Sequence, residues 1–186
     1  MAEERMIIAG FGGQGALAIG QILAFSGMLE GKNVSWVPSY GPEMRGGTAN
    51  CSVTISDDPV GSPIVTEATS AIVLNLPSFT KFESYVVPGG NLFVNADLVN
   101  AKSTRDDINV YYINCDTEAM KVGNPKASNM IMLGALLEKT NIVKKESIYD
   151  HAFLAVFHED KSKWFKSNEE AVERGMEIER EQRAKM

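Results

Sequence analysis

Short apolar runs alternate with glycine-rich and charged stretches along the whole of this chain. Met6-Ile7-Ile8-Ala9 is apolar and is closed by the cluster Gly10-Phe11-Gly12-Gly13-Gln14-Gly15, which predicts a strand over 5–10 and a tight turn after it. Leu17, Ile19, Ile22, Leu23, Phe25 and Leu29 are spread widely enough for a well-buried helix over 15–30, with Gly31 at its stop. Val34–Val37 reads as a second strand. Residues 48–56 then alternate strictly, with Ala49, Cys51, Val53 and Ile55 on one face, a pattern suited to an edge or antiparallel position.

Ala71–Leu76 is a continuous apolar run, as in a central parallel strand. Pro77-Ser78 opens a short helix that Pro88-Gly89-Gly90 ends, and strands follow at 92–95 and 110–113. One or two helical turns fit 116–122, and another helix fits 147–157. Between them, Met130, Ile131, Met132, Leu133, Ala135, Leu136 and Leu137 leave the 128–139 helix apolar nearly all round, so it belongs deep in the molecule or at an interface. Alternating strands and helices predict a three-layer α/β/α, Rossmann-like domain with a mostly parallel, mixed sheet over 1–160. Residues 161–186 are dense in Lys, Glu and Arg with a thin stripe of Trp164, Phe165, Val172 and Met176, and read as a solvated helical extension.

Bulk properties narrow the function classes. The 186 residues suit a single domain with a real core, and the formal charge of −6 argues against a nucleic-acid binder. No apolar run reaches the ~18 residues of a membrane span, and the acidic Ala2–Arg5 stretch is unlike a secretory signal, so a cytoplasmic location is expected. The two cysteines, Cys51 and Cys115, cannot furnish the four thiolates of an iron–sulfur cluster or a structural zinc site. His151 and His158 stand roughly 10 Å apart along a helix and cannot be neighbouring ligands of one metal ion.

Two polar glycine loops carry the candidate chemistry. Gly10, Gly12 and Gly15 spell G-x-G-x-x-G between a strand and a helix, the form of a dinucleotide site. That reading needs an acid at the end of the second strand. Glu30 has the count but precedes Gly31, and Trp36-Val37-Pro38-Ser39 holds no carboxylate. Gln14 still displays an amide at the helix start, which points to a binding or interface role. The second loop, Tyr40-Gly41-Pro42-Glu43-Met44-Arg45-Gly46-Gly47, holds Glu43 and Arg45 between residues that restrict the backbone, and a held guanidinium suits carboxylates or phosphates.

These two segments, with Gly123-Asn124-Pro125-Lys126-Ala127-Ser128-Asn129 leading into Met130–Gly134, resemble the gamma subunit of the 2-oxoacid:ferredoxin oxidoreductases. The corresponding unit of the long-chain enzymes is domain III of pyruvate:ferredoxin oxidoreductase. The resemblance covers about residues 5–180, and size and acidity are most similar to the separate small subunit of the 2-oxoglutarate type, with pyruvate and branched-chain versions close. It implies an enzyme that decarboxylates a 2-oxoacid with thiamine diphosphate and Mg2+, forms the acyl-coenzyme A, and sends two electrons through iron–sulfur clusters to ferredoxin or flavodoxin. It also implies that alpha, beta and ferredoxin-like subunits carry those cofactors, and that this chain binds none alone, has no catalytic residue or metal ligand, and contributes the interface and coenzyme A side. Carried over by motif, that role falls to Gly12, Gly13, Gln14, Tyr40, Gly41, Glu43, Arg45, Gly46, Asn124 and Asn129. A free-standing nucleotide-binding module and a purely structural subunit are the competing readings.

Overall fold

In the computed structural model, residues 2–40 and 47–186 are described. Six strands form one sheet: β1 (Glu3–Phe11), β2 (Asn33–Tyr40), β3 (Thr48–Ser56), β4 (Ala68–Val73), β5 (Val86–Asn95) and β6 (Asn109–Ile113), in the order β2-β3-β1-β4-β5-β6. The strands β1, β4, β5 and β6 run parallel, and β3 lies antiparallel between β2 and β1. The expected mixed α/β sheet is present.

Side-chain alternation splits the core in two. Met6 and Ile8 join Cys51, Val53, Ile55, Ile72, Phe93 and Tyr111 on one face. There α1 (Ala16–Leu29) covers β2 and β3, while α4 (Ser128–Thr140), with α3 (Cys115–Val122) packed on it, covers β5. Ile7 and Ala9 join Ala71, Val73, Leu92 and Val94 on the other face, covered by the short α2 (Leu76–Phe82) with Val65 and Val99. The aromatic rings of Phe93 and Tyr111 stack at 4.9 Å in the thicker layer.

Three boundaries differ from the sequence expectation, each for a local reason. β4 ends at Val73, because the Asn75 side chain accepts from the Ser78 N–H at 2.9 Å and starts α2 early. Pro88-Gly89-Gly90 does not lie outside the strand; it is absorbed into β5 with a register shift opposite Ala68 and Ser70. Gly89 has φ +81, and a Cβ on Gly90 would stand 2.9 Å from the Thr69 carbonyl oxygen. The 147–157 helix is broken into α5 (Lys145–Ser147), a π-turn (Ile148–Ala152) and α6 (Phe153–Phe157).

The last helix, α7 (Phe165–Arg183), is not merely solvated with a thin stripe. Its buried side is Asn168, Ala171, Val172, Gly175, Ile178 and Glu179, whereas Trp164 just before it stays exposed. It packs along α4, which buries every residue from Asn129 to Leu137. The two helix backbones meet at glycines. A Cβ on Gly134 would overlap the Val172 carbonyl, and one on Gly175 would overlap the Ile131 carbonyl. Underneath, the Tyr111 hydroxyl donates to the fully buried Glu179 carboxylate at 3.1 Å. The apolar surface of α4 is thus covered largely from within the chain.

Candidate functional site

All four parallel strands end on one rim, where ligands of open α/β sheets bind. After β1 the chain turns tightly, with the Gln14 N–H on the Phe11 carbonyl at 3.1 Å. Gly13 has φ +92 and Gly15 has φ +81, and a side chain on Gly15 would also run into the Asn129 amide. The Gln14 amide organises the turn. Its Oε1 accepts from the Phe11 N–H at 2.6 Å and from Asn75 Nδ2 at 3.3 Å, and its Nε2 donates to the Leu74 carbonyl at 3.3 Å.

The second loop joins this turn through the start of β3. Phe11 pairs with Thr48 and Tyr40 with Ala49, so the two loops emerge side by side. The Gly12 N–H donates to the Gly47 carbonyl at 2.8 Å. Tyr40 is 71% exposed on this rim. Gly41, Glu43, Arg45 and Gly46 lie outside the described residues.

From the third segment, Asn129 Nδ2 reaches the Gly15 carbonyl at 3.4 Å and ties α4 to the first turn of α1. Asn124 sits differently. Its oxygen accepts from the Lys126 N–H at 3.2 Å, while its nitrogen donates to Ser167 Oγ at 3.0 Å and to Asn168 Oδ1 at 3.4 Å. It holds α7 against the 3-10 turn Pro125–Ala127 and is only 5% exposed. The structure therefore brings Gly12, Gly13, Gln14 and Asn129 together, leaves Tyr40 on the same rim, and turns Asn124 inward.

A line of asparagines along the rim had escaped sequence reasoning. Asn95 Nδ2 donates to the Leu74 carbonyl and to Asp116 Oδ2, each at 3.1 Å. Asn114 Nδ2 donates to Asp97 Oδ1 at 3.1 Å, and the Thr117 N–H and hydroxyl each reach Asp97 at 2.8 Å. Burial alone would raise the Asp97 carboxyl, but these bonds outweigh it and hold the group below the usual carboxylate range. The signal was there: Leu74-Asn75, Val94-Asn95 and Ile113-Asn114 each place an asparagine directly after the apolar end of a parallel strand.

Two hollows open here. A cleft of about 420 Å³ is lined by Gly13, Gln14, Leu74, Asn95, Asp116, Pro125, Lys126 and Ser128. A cavity of about 230 Å³, also lined by Lys126, extends toward Trp164. A third hollow, about 560 Å³, lies along the outer flank of α7 among Glu169, Glu170, Glu173 and Glu177 and does not touch the rim.

The dinucleotide reading fails on this geometry. Glu30 caps the far end of α1, where its Oε2 accepts from the Lys144 N–H at 2.9 Å. The neighbour of β1 on that side is the antiparallel β3, not a parallel second strand. Cys51 and Cys115 are buried, and burial pushes both thiols up, Cys51 to about 12. No three His, Cys, Asp or Glu side chains converge as metal ligands among the described residues. No helix among them is long and apolar enough to cross a membrane.

Residues 5–178 match the family model of pyruvate ferredoxin/flavodoxin oxidoreductase, almost the whole chain. The chain belongs to that family. Among relatives, the ketoisovalerate oxidoreductase subunit VorA of Methanothermobacter thermautotrophicus is 40% identical over 135 residues, covering 73% of this chain but only 28% of VorA. The 2-oxoglutarate synthase subunit KorC of Methanocaldococcus jannaschii is 36% identical over 151 residues, covering 78% of this chain and 80% of KorC. The chain thus spans little more than a quarter of VorA and most of KorC. In this oxidoreductase family the fold is shared as well. The gamma subunit of a keto/oxoacid ferredoxin oxidoreductase from Geobacter sulfurreducens superposes with a TM-score of 0.80 at 28% identity, over 96% of this chain and 99% of that one. A chain of the 2-oxoglutarate:ferredoxin oxidoreductase from Magnetococcus marinus, solved with 2-oxoglutarate, coenzyme A and succinyl-CoA, gives 0.86 at 19% identity. That alignment covers 97% of this chain and 32% of the other, and at this identity it speaks for the fold. The expected resemblance to gamma subunits stands.

Proposed function

We propose that this chain is the gamma subunit of a cytoplasmic 2-oxoacid:ferredoxin oxidoreductase, acting on 2-oxoglutarate. One observation carries the reading. The same stretch is matched both in relatives of similar length, such as KorC, and within longer chains, such as VorA. A unit that occurs separately and within longer polypeptides is one that works against the rest of an assembly. On this reading the alpha, beta and ferredoxin-like subunits hold thiamine diphosphate, Mg2+ and the iron–sulfur clusters. Thiamine diphosphate supplies the carbanion chemistry of decarboxylation there, and electrons leave to ferredoxin or flavodoxin.

The part of this chain is binding and positioning. The strand-end cleft offers an ammonium at Lys126 and glycine backbone at Gly13, beside the Asp116 carboxylate, and these two donors suit the phosphates of coenzyme A. Gly12, Gly13, Gln14, Tyr40 and Asn129, with Gly41, Glu43, Arg45 and Gly46 of the adjoining loop, form the side that meets the catalytic subunits and coenzyme A. Asn124 supports it from behind through α7. The similar length of KorC favours 2-oxoglutarate, while the 40% identity to VorA favours a branched-chain 2-oxoacid as the second reading.

The test is Arg45→Ala in the reconstituted complex. The reading predicts an intact assembly with a raised KM for coenzyme A. An intact assembly with unchanged coenzyme A kinetics makes the loop a structural contact only.

A further inference from the structure

The smaller cavity collects positive charge. It lies between the first turn of α4, the end of α6 and the first turn of α7, and Lys126 and Lys161 line it without a single carboxylate among the described residues. The chain as a whole carries a formal charge of −6, so an anion finds a favourable potential only where cations are collected locally. The flank hollow along α7 differs in mixing four glutamates with Lys166, Arg174 and Arg180.

Besides the two lysines, the cavity is lined by aromatic and amide side chains. Trp164 is 43% exposed and Phe157 is half-buried beside it. Asn129 and Asn168 are each 8% exposed. Asn129 spends its nitrogen on the Gly15 carbonyl, and Asn168 spends its oxygen on Asn124. Among the described residues, the Asn129 oxygen and the Asn168 nitrogen have no hydrogen-bond partner, which leaves one acceptor and one donor at the cavity. At about 230 Å³ the space is smaller than the ~300–1,000 Å³ of a pocket for a whole ligand, and suits one ring system. Lys126 also lines the strand-end cleft, so the two spaces adjoin at its side chain.

We infer that this cavity takes the base of a phosphorylated purine nucleotide. Its ring lies against Trp164 and Phe157, its polar edge meets Asn129 and Asn168, and its phosphates meet Lys161 and Lys126. Bases stack on exposed indoles whatever their sequence identity, and lysine serves phosphate as a point charge. Resting on the coenzyme A reading above, the nucleotide is the adenosine 3′-phosphate end of coenzyme A. Its thiol arm then passes Lys126 into the strand-end cleft, and α7 with the turn before it becomes part of the binding surface.

The experiment compares coenzyme A with 3′-dephospho-coenzyme A in the assembled complex, using Trp164→Ala, Trp164→Phe and Lys161→Ala. Trp164→Ala is expected to raise the KM for coenzyme A about tenfold with kcat little changed, and Trp164→Phe to restore most of it. Lys161→Ala is expected to erase the preference for the 3′-phosphorylated form. As a readout independent of turnover, adenosine 3′,5′-bisphosphate should quench the fluorescence of the full chain, and the quench should vanish in Trp164→Phe. An unchanged KM in Trp164→Ala beside a raised one in Arg45→Ala overturns the cavity proposal and leaves the gamma-subunit reading standing. Unchanged coenzyme A kinetics in every variant overturn both.

Discussion

The backbone N–H of Gly12 donates to the carbonyl of Gly47 at 2.8 Å. This bond fastens the turn after β1 to the residue that follows the Tyr40–Gly46 segment. Gly12 is exposed and carries no side chain, so a second polypeptide or a ligand can approach its backbone closely, while Gly47 is buried behind it. The turn after β1 and the start of β3 thereby form one joined surface.

Gln14 is the side chain that sets the shape of that surface. Gln14→Ala leaves the Phe11 N–H without its acceptor and the Leu74 carbonyl without its donor. The expected loss is about 1–2 kcal/mol in urea denaturation, since the site is only partly buried. A loss within about 0.3 kcal/mol would mean that water replaces the amide without cost.

The crossing of α4 and α7 leaves no room for a methyl group. Gly175→Ala and Gly134→Ala are each expected to cost about 3 kcal/mol, because the added Cβ meets backbone carbonyls rather than a movable side chain. Gly61→Ala has nothing within 4 Å of the added carbon and serves as the neutral control. Thermal denaturation of the three variants checks this directly.

Tyr111 links the sheet to α7 and makes stability pH-dependent at the alkaline end. Burial and the Glu179 carboxylate raise its hydroxyl to about 12, against 10.0 for a free tyrosine. A raised folded-state value gives stability that is complete below about pH 10 and is lost as the pH climbs toward 12. Tyr111→Phe should flatten that part of the stability curve. At neutral pH it should cost about 1–3 kcal/mol, by removing the donor to a fully buried carboxylate.

His158 joins α6 to the turn before α7 with φ 63 and ψ 168, a conformation that glycine alone adopts freely. His158→Gly is expected to stabilise the fold by about 1 kcal/mol, the relieved strain less the entropy that glycine adds to the unfolded chain. A destabilised His158→Gly would show that the imidazole makes a compensating contact.

Much of the sheet was legible because each strand carries its burial in its own residues. The two-sided run at Ala71–Val73 and the strict alternation at 49–55 signal parallel and antiparallel positions without reference to anything distant. The rim was half-legible. Gln14 stands out between glycines, but Asn75, Asn95 and Asn114 look like ordinary strand ends until the sheet brings them into line. The phase of α7 was hidden because its contact with α4 is made by Gly134 and Gly175, which contribute no apolar signal. Glu179 reads as a solvated charge until Tyr111 is placed beneath it. Trp164, grouped with the thin apolar stripe of 161–186, borders a cavity, because the burial of α7 follows Ala171, Val172, Gly175 and Ile178.

The central claim is that this chain completes an active centre carried largely by other subunits. The most direct measurement is coenzyme A-dependent oxidation of 2-oxoglutarate by the assembled subunits, with and without this chain, using ferredoxin as acceptor. The account predicts acyl-coenzyme A formation only when the chain is present, and none from the chain alone. Full turnover by the other subunits without it, or any turnover by this chain unaided, would contradict it.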